Sequence, residues 1–465
     1  MSHTCAALST AAGKAGVSVI RISGDDAFSI SDKVFRCADG KALAEQPARK
    51  AVFGGFYGHD GVKIDSGLTV CFHKPSSYTG ENTVEMSCHG SPVGVGLILG
   101  ALFAAGAKPA LPGEFTKRAF VNGKLDLTQA EAVADLLDAE NASQLRLFTA
   151  QLDGGLGSRI KKVSDGIEQL LASVYAYIDY PDEDMSDLTD DQMKEEILGF
   201  RAELEKLTES YASGVAITRG VNTVIAGAPN TGKSTFFNLL AGYDRAIVTD
   251  IAGTTRDVIT ESVTVGAVKL LISDTAGIHD TDDVVEKIGV SRSEKALEEC
   301  ELLIALFDGS ADFADNDRNF ISKISAYAKS RNVICVINKS DISDADAVQK
   351  IKEYLNMAGF TNILSVSAKS GDGKDEFEKA VLKLYPASCE NEMSSGAILT
   401  NARQYAAVTS AVSHLDDALC ALDTLTRDMA GLDLEEALGA LNEADGRQVS
   451  EQVVNTIFSR FCVGK

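Results

Sequence analysis

The sequence predicts a multidomain chain: an α+β N-terminal domain, a discontinuous α-helical domain, and an α/β domain inserted between the two helical halves. Glycine turns separate short β-rich runs over the first part of the chain. From Gly220 to Tyr385, short apolar runs alternate with helical segments. Helical periodicity stands on both sides of that stretch, as an insertion into one helical domain requires. A length of 465 residues agrees with about three domains.

In the N-terminal part, Val17 to Ile22 and Gly67 to Phe72 read as strands, and a helix is expected near Val93 to Ala105. Near Lys124 the character changes. Thr128 and Glu131 form a Thr-x-x-Glu pair that reads as a capping box, followed by Val133, Leu136 and Leu137 at helical spacing. Met193, Ile197, Phe200, Leu204 and Leu207 form a second helical stripe, read as core packing. Between these helices, Tyr180-Pro181-Asp182-Glu183-Asp184 is a break. Val221 to Ala226, Lys269 to Ser273, Leu302 to Phe307, Val333 to Ile337 and Ile363 to Val366 are nearly continuous apolar runs, which suit parallel strands buried on both faces. Helical pattern returns after Ser388, as in Leu432 to Leu441. The expected boundaries are 1–121, 122–214, 215–387 and 388–465.

Composition narrows the class. Hydrophobic residues make up 45% and charged residues 24%, ordinary for a globular protein. No run approaches the roughly 20 apolar residues of a membrane span. The opening Met1 to Cys5 lacks the charged-then-apolar layout of a secretory signal, so a cytoplasmic protein is expected. Nine cysteines are scattered without a Cys-x-x-Cys pair, which reads as reduced packing residues rather than a zinc site. Sixty-seven acidic residues against 44 basic give a formal charge of −23. Such a surface repels free nucleic acid, so any RNA biology calls for a partner that supplies basic surface.

Gly227-Ala228-Pro229-Asn230-Thr231-Gly232-Lys233-Ser234 is a G-x-x-x-x-G-K-S phosphate loop placed between a predicted strand and a predicted helix. Its glycines let backbone N–H groups turn toward phosphate oxygens. Lys233 can reach the β- and γ-phosphates, the Ser234 hydroxyl can ligate Mg2+, and Thr235 continues the binding segment. Asp274-Thr275-Ala276-Gly277 ends a later strand, where the aspartate can hold Mg2+ through water and the Gly277 N–H can meet the γ-phosphate. Asn338-Lys339-Ser340-Asp341 follows another strand. An ionised Asp341 only accepts hydrogen bonds, and one edge of guanine presents two N–H donors that adenine lacks. ATP would leave that carboxylate unpaired, so GTP is the expected nucleotide. Ser367-Ala368-Lys369 ends the last strand, where its backbone can contact the base oxygen.

The hydrolytic step is less ordinary. Ile278 and His279 follow Gly277, with neither a water-orienting Gln nor an Arg among them. Glu286, one short segment downstream, can act through water or can be a solvated helix-face acid.

Between the phosphate loop and Asp274 lies the run Ala246-Ile247-Val248-Thr249-Asp250-Ile251-Ala252-Gly253-Thr254-Thr255-Arg256-Asp257. Together with Asn230 it resembles the potassium-activated GTPases, and among them the MnmE (TrmE) family of tRNA-modification GTPases. The resemblance extends over nearly the whole chain, through Arg21-Ile22-Ser23-Gly24, Tyr78-Thr79-Gly80-Glu81 with Glu85 and His89-Gly90, Pro112 to Thr116, Arg118 to Phe120, and Lys124-Leu125-Asp126-Leu127. It implies a K+ ion held by Asn230, Thr249, Ile251 and Thr254, placing positive charge between the β- and γ-phosphates. It implies Thr255 on Mg2+ and Glu286 as the catalytic glutamate. For the N-terminal domain it implies folate binding (5,10-methylene-tetrahydrofolate or 5-formyl-tetrahydrofolate) and constitutive homodimerisation, with Arg21, Glu85 and Lys124 at folate contacts. Arg21 and Lys124 suit the folate carboxylates and Glu85 suits pterin donors.

The ending Phe461-Cys462-Val463-Gly464-Lys465 is similar to the family's terminal Cys-Ile-Gly-Lys. It fits a prenylation box poorly. No base stands beside Cys462 in sequence, and Lys465 is the better candidate for folate or partner contact. The family further implies an FAD- and NADH-using partner, MnmG, a heterotetramer with it, and tRNA as the substrate whose wobble uridine is modified at C5. The rival reading is a regulatory or ribosome-assembly GTPase, which usually appends a basic RNA-binding module that this chain lacks. A third reading makes the N-terminal domain a dimerisation scaffold only.

Overall fold

The computed structural model of the chain describes residues 3–179, 189–242, 260–273, 299–328, 331–386, 390–424 and 426–465. Its contacts divide the chain into two compact units. One comprises Met1–Leu137, Ile160–Ser164 and Leu438–Lys465, the other Asp138–Arg159 and Asp165–Ala437.

The first unit is built on seven strands: β1 (Cys5–Leu8), β2 (Ala15–Ser23), β3 (Phe35–Cys37), β4 (Ala51–Tyr57), β5 (Lys63–Phe72), β6 (Thr83–Gly90) and β7 (Lys108–Pro109). They lie in the order β3-β4-β5-β6-β2-β1-β7. All neighbours are antiparallel except β1 and β7. Helix α1 (Ala27–Ser31) and helix α2 (Pro92–Ala104), the latter where the sequence places a helix, are buried against one face with Ile20, Ile22, Val84, Met86 and Phe56. Helices α3 (Glu114–Val121) and α4 (Leu127–Leu137) follow.

The expected capping box at Thr128 is corrected here. Helix α4 starts at Leu127, two residues earlier than a Thr128 cap requires, and Asp126 caps it: its Oδ1 accepts from the Gln129 N–H at 2.8 Å, while Gln129 Oε1 accepts from the Asp126 N–H at 3.0 Å. Thr128 instead donates its hydroxyl to Asp126 at 2.6 Å. A carboxylate at the cap accepts more strongly than a hydroxyl.

The chain then runs through α5 (Ala142–Leu152), α6 (Gly155–Asp179) and α7 (Asp190–Thr218). Met193, Ile197, Leu204 and Leu207 are buried as the stripe predicts. Phe200 fills the space left by Gly166, where a Cβ would stand 2.5 Å from its ring. The break at Tyr180–Asp184 lies outside the described residues.

The second sheet begins with β8 (Val221–Gly227), followed by α8 (Lys233–Ala241), β9 (Thr260–Val265), β10 (Val268–Ser273), β11 (Leu302–Asp308), α9 (Asp315–Tyr327), β12 (Asn332–Asn338), α10 (Ala345–Met357), β13 (Ile363–Ser365) and α11 (Lys374–Leu384). Its described strands lie in the order β13-β12-β11-β8-β10-β9. Pairing is parallel except for the β9–β10 hairpin. Strand β11 shows why its run is unbroken: Leu302, Ile304 and Leu306 enter one core, and Leu303, Ala305 and Phe307 the other. The helical layer resumes with α12 (Glu390–Ser395), α13 (Ala402–Thr424) and α14 (Arg427–Asp445), and α15 (Glu451–Phe458) ends the helical succession.

Helix α5 holds both ends of the inserted sheet unit. Buried Gln144 donates its amide to the carbonyls of Ile217 and Thr218, at the way in. Buried Gln151, two turns on and on the same face, donates to the Ile398 carbonyl at the way out. Ahead of the helix, Glu140 pairs with Lys269 of β10, and Asn141 donates to Thr264 of β9 at 3.4 Å. The two passing strands of chain touch: a Cβ on Gly214 would stand 2.0 Å from the Leu399 carbonyl oxygen.

The C-terminal residues dock on the first unit. Phe458 and Phe461 are buried, and Val463 forms a β-bridge with Pro112. The Phe115 N–H donates to the Lys465 carbonyl at 3.2 Å. Gly464 is required there, because it sits at φ +102° with a Cβ position 2.0 Å from the Leu8 carbonyl oxygen.

Candidate functional site

The phosphate loop joins β8 to α8. Gly232 takes the left-handed N-cap position at φ +88°. A Cβ there would stand 2.4 Å from Asn338 Nδ2, so the base-reading segment packs directly on the loop. Asn338 is the bridge between three loops. Its Nδ2 donates to the Thr231 carbonyl at 2.9 Å, and its Oδ1 accepts from the Ala368 N–H at 3.0 Å. Asn338, Thr231 and Ser367 are all buried.

Lys233 donates to the carbonyls of Gly227 and Ala228 at 3.2 and 3.0 Å. The N–H groups of the first turn of α8 and the helix dipole give the loop its affinity for anions. Lys233 and Ser234 are half-buried, and Thr235 is exposed. The Ser234 hydroxyl is the described oxygen donor that fits Mg2+, an ion that keeps several waters and takes its other ligands from phosphates. Asn230 has φ +64°, a conformation Asn tolerates better than most residues.

Asp341 is exposed, rather than buried as its role in base discrimination suggests from sequence. It stands on the rim, where its Oδ1 accepts the Ser367 hydroxyl at 2.7 Å. That hydroxyl also accepts the Ser370 N–H at 3.2 Å, so the carboxylate is oriented before any base arrives. Lys339 is paired with Asp308 at 2.6 Å. Lys369 is exposed. Thr249, Asp250, Ile251, Ala252, Gly253, Thr254 and Thr255, together with Asp274, Thr275, Ala276, Gly277 and Glu286, lie outside the described residues.

A second polar site sits in the N-terminal unit. Arg21 on β2 and Glu85 on β6 are cross-strand partners. Arg21 Nε donates to Glu85 Oε1 at 2.9 Å, and Nη2 approaches the same oxygen at 2.9 Å. The guanidinium lies 5.0 Å from the Tyr78 ring centre and 5.5 Å from that of Phe115. Its Nη1 is buried with no hydrogen-bond partner. Burial pushes the Lys465 ammonium below its ordinary value, the positive charge of Arg21 lowers it further, and Glu85 opposes both. Arg21 and Lys465 are therefore two cations near the one carboxylate of Glu85. Lys124 is exposed and runs beside Gly80, in the turn that carries Tyr78. Cys462 is exposed.

Sequence reading did not assign roles to Glu81, Glu114 and Arg118, although all three lie in segments that carry the resemblance. Arg118 is buried between Glu81 at 2.8 Å and Glu114 at 2.5 Å, and donates to the His3 carbonyl at 2.8 Å. Ser23 links Glu81 to Thr79 through hydroxyl bonds of 2.8 and 2.7 Å. Thr116, next to Phe115, meets the Tyr78 hydroxyl at 2.9 Å. The ion triad thus fixes the two segments whose aromatic rings flank Arg21. The spacing Glu114 to Arg118, one helical turn, was the signal available in the sequence.

Comparison with known proteins identifies the family. Residues 4–124 match the model for the GTP-binding protein TrmE N-terminus, and residues 127–462 match the MnmE helical domain. The tRNA modification GTPase MnmE of Lactobacillus acidophilus is 39% identical over 464 residues, 99% of this chain and 98% of that one. The protein of the same name from Clostridioides difficile is 36% identical over the full length of both chains. Among solved structures, Aquifex aeolicus Era bound to GDP and aluminium fluoride is 29% identical, covering 35% of this chain and 55% of that chain at a TM-score of 0.28. The chain therefore belongs to the MnmE family of tRNA modification GTPases, as a GTP hydrolase that works with Mg2+ and acts in tRNA modification.

Proposed function

We propose that this chain is a potassium-dependent GTPase that works with a flavin- and NADH-using partner, MnmG, in a heterotetramer to modify C5 of the wobble uridine of certain tRNAs. The observation that carries the reading is the N-terminal polar cluster, where a buried Arg21 Nη1 lacks a partner beside Tyr78, Phe115 and Lys465. A GTPase with no further chemistry has no need of such a cluster. A folate fits it by donor chemistry: carboxylates for the two cations, a flat ring system for the aromatic residues, and ring N–H groups for Glu85. When bound, a methylene-tetrahydrofolate supplies a one-carbon unit. Arg21, Glu85, Lys124 and Lys465 would hold it, and Phe115 with Tyr78 would exclude water.

In the nucleotide site, Asp341 accepts the guanine N–H donors, Ser367 orients Asp341, and Asn338 ties the base-reading strand end to the phosphate loop. Lys233 exchanges its carbonyl partners for phosphate oxygens on binding. Asn230 would contribute a side-chain oxygen to K+, with Thr249, Ile251 and Thr254. Thr255 would join Ser234 on Mg2+, and Glu286 would orient the attacking water. The proposed domains are 1–121, 122–214, 215–387 and 388–465, with the chain a cytoplasmic homodimer. Among the described residues no helix is long and apolar enough to cross a membrane.

The test is mass spectrometry of tRNA nucleosides from cells lacking the protein. Selective loss of the C5-modified wobble uridine, restored by the wild-type chain, is the expected result. An unchanged profile would replace this reading with a regulatory or ribosome-assembly GTPase. Separately, turnover should be far faster in K+ than in Na+, and Asn230→Ala should flatten the difference.

A further inference from the structure

Lys339 is one of three described non-glycine residues with a left-handed backbone; the others are Arg49 and Asn230. Two of the three stand in the nucleotide site. A lysine gains nothing locally from φ +64°, and such strain persists only where surroundings over-determine it. The surrounding group is Asp308, the last residue of β11, paired in register with Asn338, the last residue of β12.

Both oxygens of Asp308 are engaged. Oδ2 holds the Lys339 ammonium at 2.6 Å. Oδ1 accepts the Ser310 N–H at 2.9 Å and its hydroxyl at 2.6 Å. Between them the Gly309 N–H donates to the Asn338 carbonyl at 2.9 Å, so the turn 308–310 wraps the end of β12. Burial alone would raise the Asp308 carboxyl, but Lys339 and Ser310 hold it below its ordinary value. The carboxylate is pinned from behind by the turn and presents its second oxygen to one lysine.

Lys339 lies between Asn338, which fastens the phosphate loop, and Asp341, the exposed carboxylate to which the proposed function gives the guanine N–H donors. We propose that Asp308 is a positioning residue of the guanine site, fixing the Lys339 side chain as a rigid wall of the base slot. Without it the ammonium of a long, mobile side chain is free to leave the slot, and nucleotide binding has to order it. The contribution falls on ground-state affinity, shared by GTP and GDP, and not on the hydrolytic step.

The experiment compares Asp308→Asn, Lys339→Met and the double variant in the full-length protein. Asn keeps the shape and the Ser310 contact but loses the charge on Lys339. Asp308→Asn should raise the GTP KM and the GDP Kd together by about tenfold, with kcat within twofold of wild type. In the Lys339→Met background the same change should have no further effect. Asp308→Glu should recover part of the affinity. Wild-type affinity in Asp308→Asn would overturn the proposal. So would losses that add in full in the double variant, or a fall in kcat with a lowered unfolding midpoint, which would mark a merely structural turn.

Discussion

The nucleotide site and the N-terminal polar cluster orient their polar groups by different means. In the guanine site the organising bonds are short-range and mostly neutral: an amide on a carbonyl, an N–H on an amide oxygen, a hydroxyl on Asp341. Asn338, Lys339 and Asp341 are each already partnered, and the Asp341 carboxylate stays on the rim. In the N-terminal cluster a buried guanidinium, Arg118, is clamped by two carboxylates, and a second one, Arg21, keeps a buried donor without a partner. The first arrangement satisfies its polar groups with one another. The second leaves one donor of a buried cation unsatisfied.

The sharpest way to break the comparison is Arg118→Met. It strands two largely buried carboxylates, so the N-terminal unit should lose about 4 kcal/mol. Urea unfolding of the full chain reads this as an early transition. Adding Glu81→Gln and Glu114→Gln should recover most of the loss, whereas recovery by neither would sink the triad account.

Next in size is Asp341→Asn. It replaces an acceptor with a group that is half donor, and GTP affinity should fall about a hundredfold, or roughly 2.7 kcal/mol. Xanthosine triphosphate, with a carbonyl in place of the exocyclic amine, should bind better to the variant than to wild type. Competition with labelled GDP measures both.

Arg21→Met should weaken the binding of a tetrahydrofolate about tenfold by calorimetry. The urea midpoint should fall only slightly, because Glu85, which loses its partner, is partly exposed and the unpartnered Nη1 is removed as well. A large loss of stability would make Arg21 a structural residue instead.

The smallest expected effect is in acid. Burial alone would raise the Glu114 carboxyl, but the Leu111 N–H and Arg118 bring it below its ordinary 4.5. The unfolded chain then binds the proton more readily, so this stabilisation is full above about pH 4.5 and is lost as pH falls through the lowered folded value. Unfolding midpoints across that window should slope downward in wild type and less so in Arg118→Met.

Much of this was legible in the sequence where the signal is local. Strands β11 and β12 are buried on both faces, and their runs show it directly, whereas β10 alternates buried with half-buried residues and β13 is half-buried throughout. Strand β9, Thr260 to Val265, opens with three polar residues and has apolar ones only at Val263 and Val265, so it did not register beside them. The phosphate loop and Asn338 to Asp341 are contiguous motifs, so their elements followed. The cap of α4 was misplaced by two residues because Thr-x-x-Glu and Asp-x-x-Gln overlap there, and only coordinates show which side chain reaches the N–H. Asp308 and Lys339 stand 31 residues apart, and Arg21 and Glu85 stand 64 apart. Parallel and antiparallel pairing of distant strands creates these partnerships, and periodicity does not encode them.

The contact between Gly214 and Leu399 has an architectural consequence. Because departure and return occur at one point, the helical layer experiences the whole α/β unit as a surface loop with its ends already together. Host and guest can then be separated at little entropic cost. A short glycine-rich splice from the end of α7 to Leu399 should leave a helical protein that still folds, and the excised guest has termini close enough to be joined into a ring.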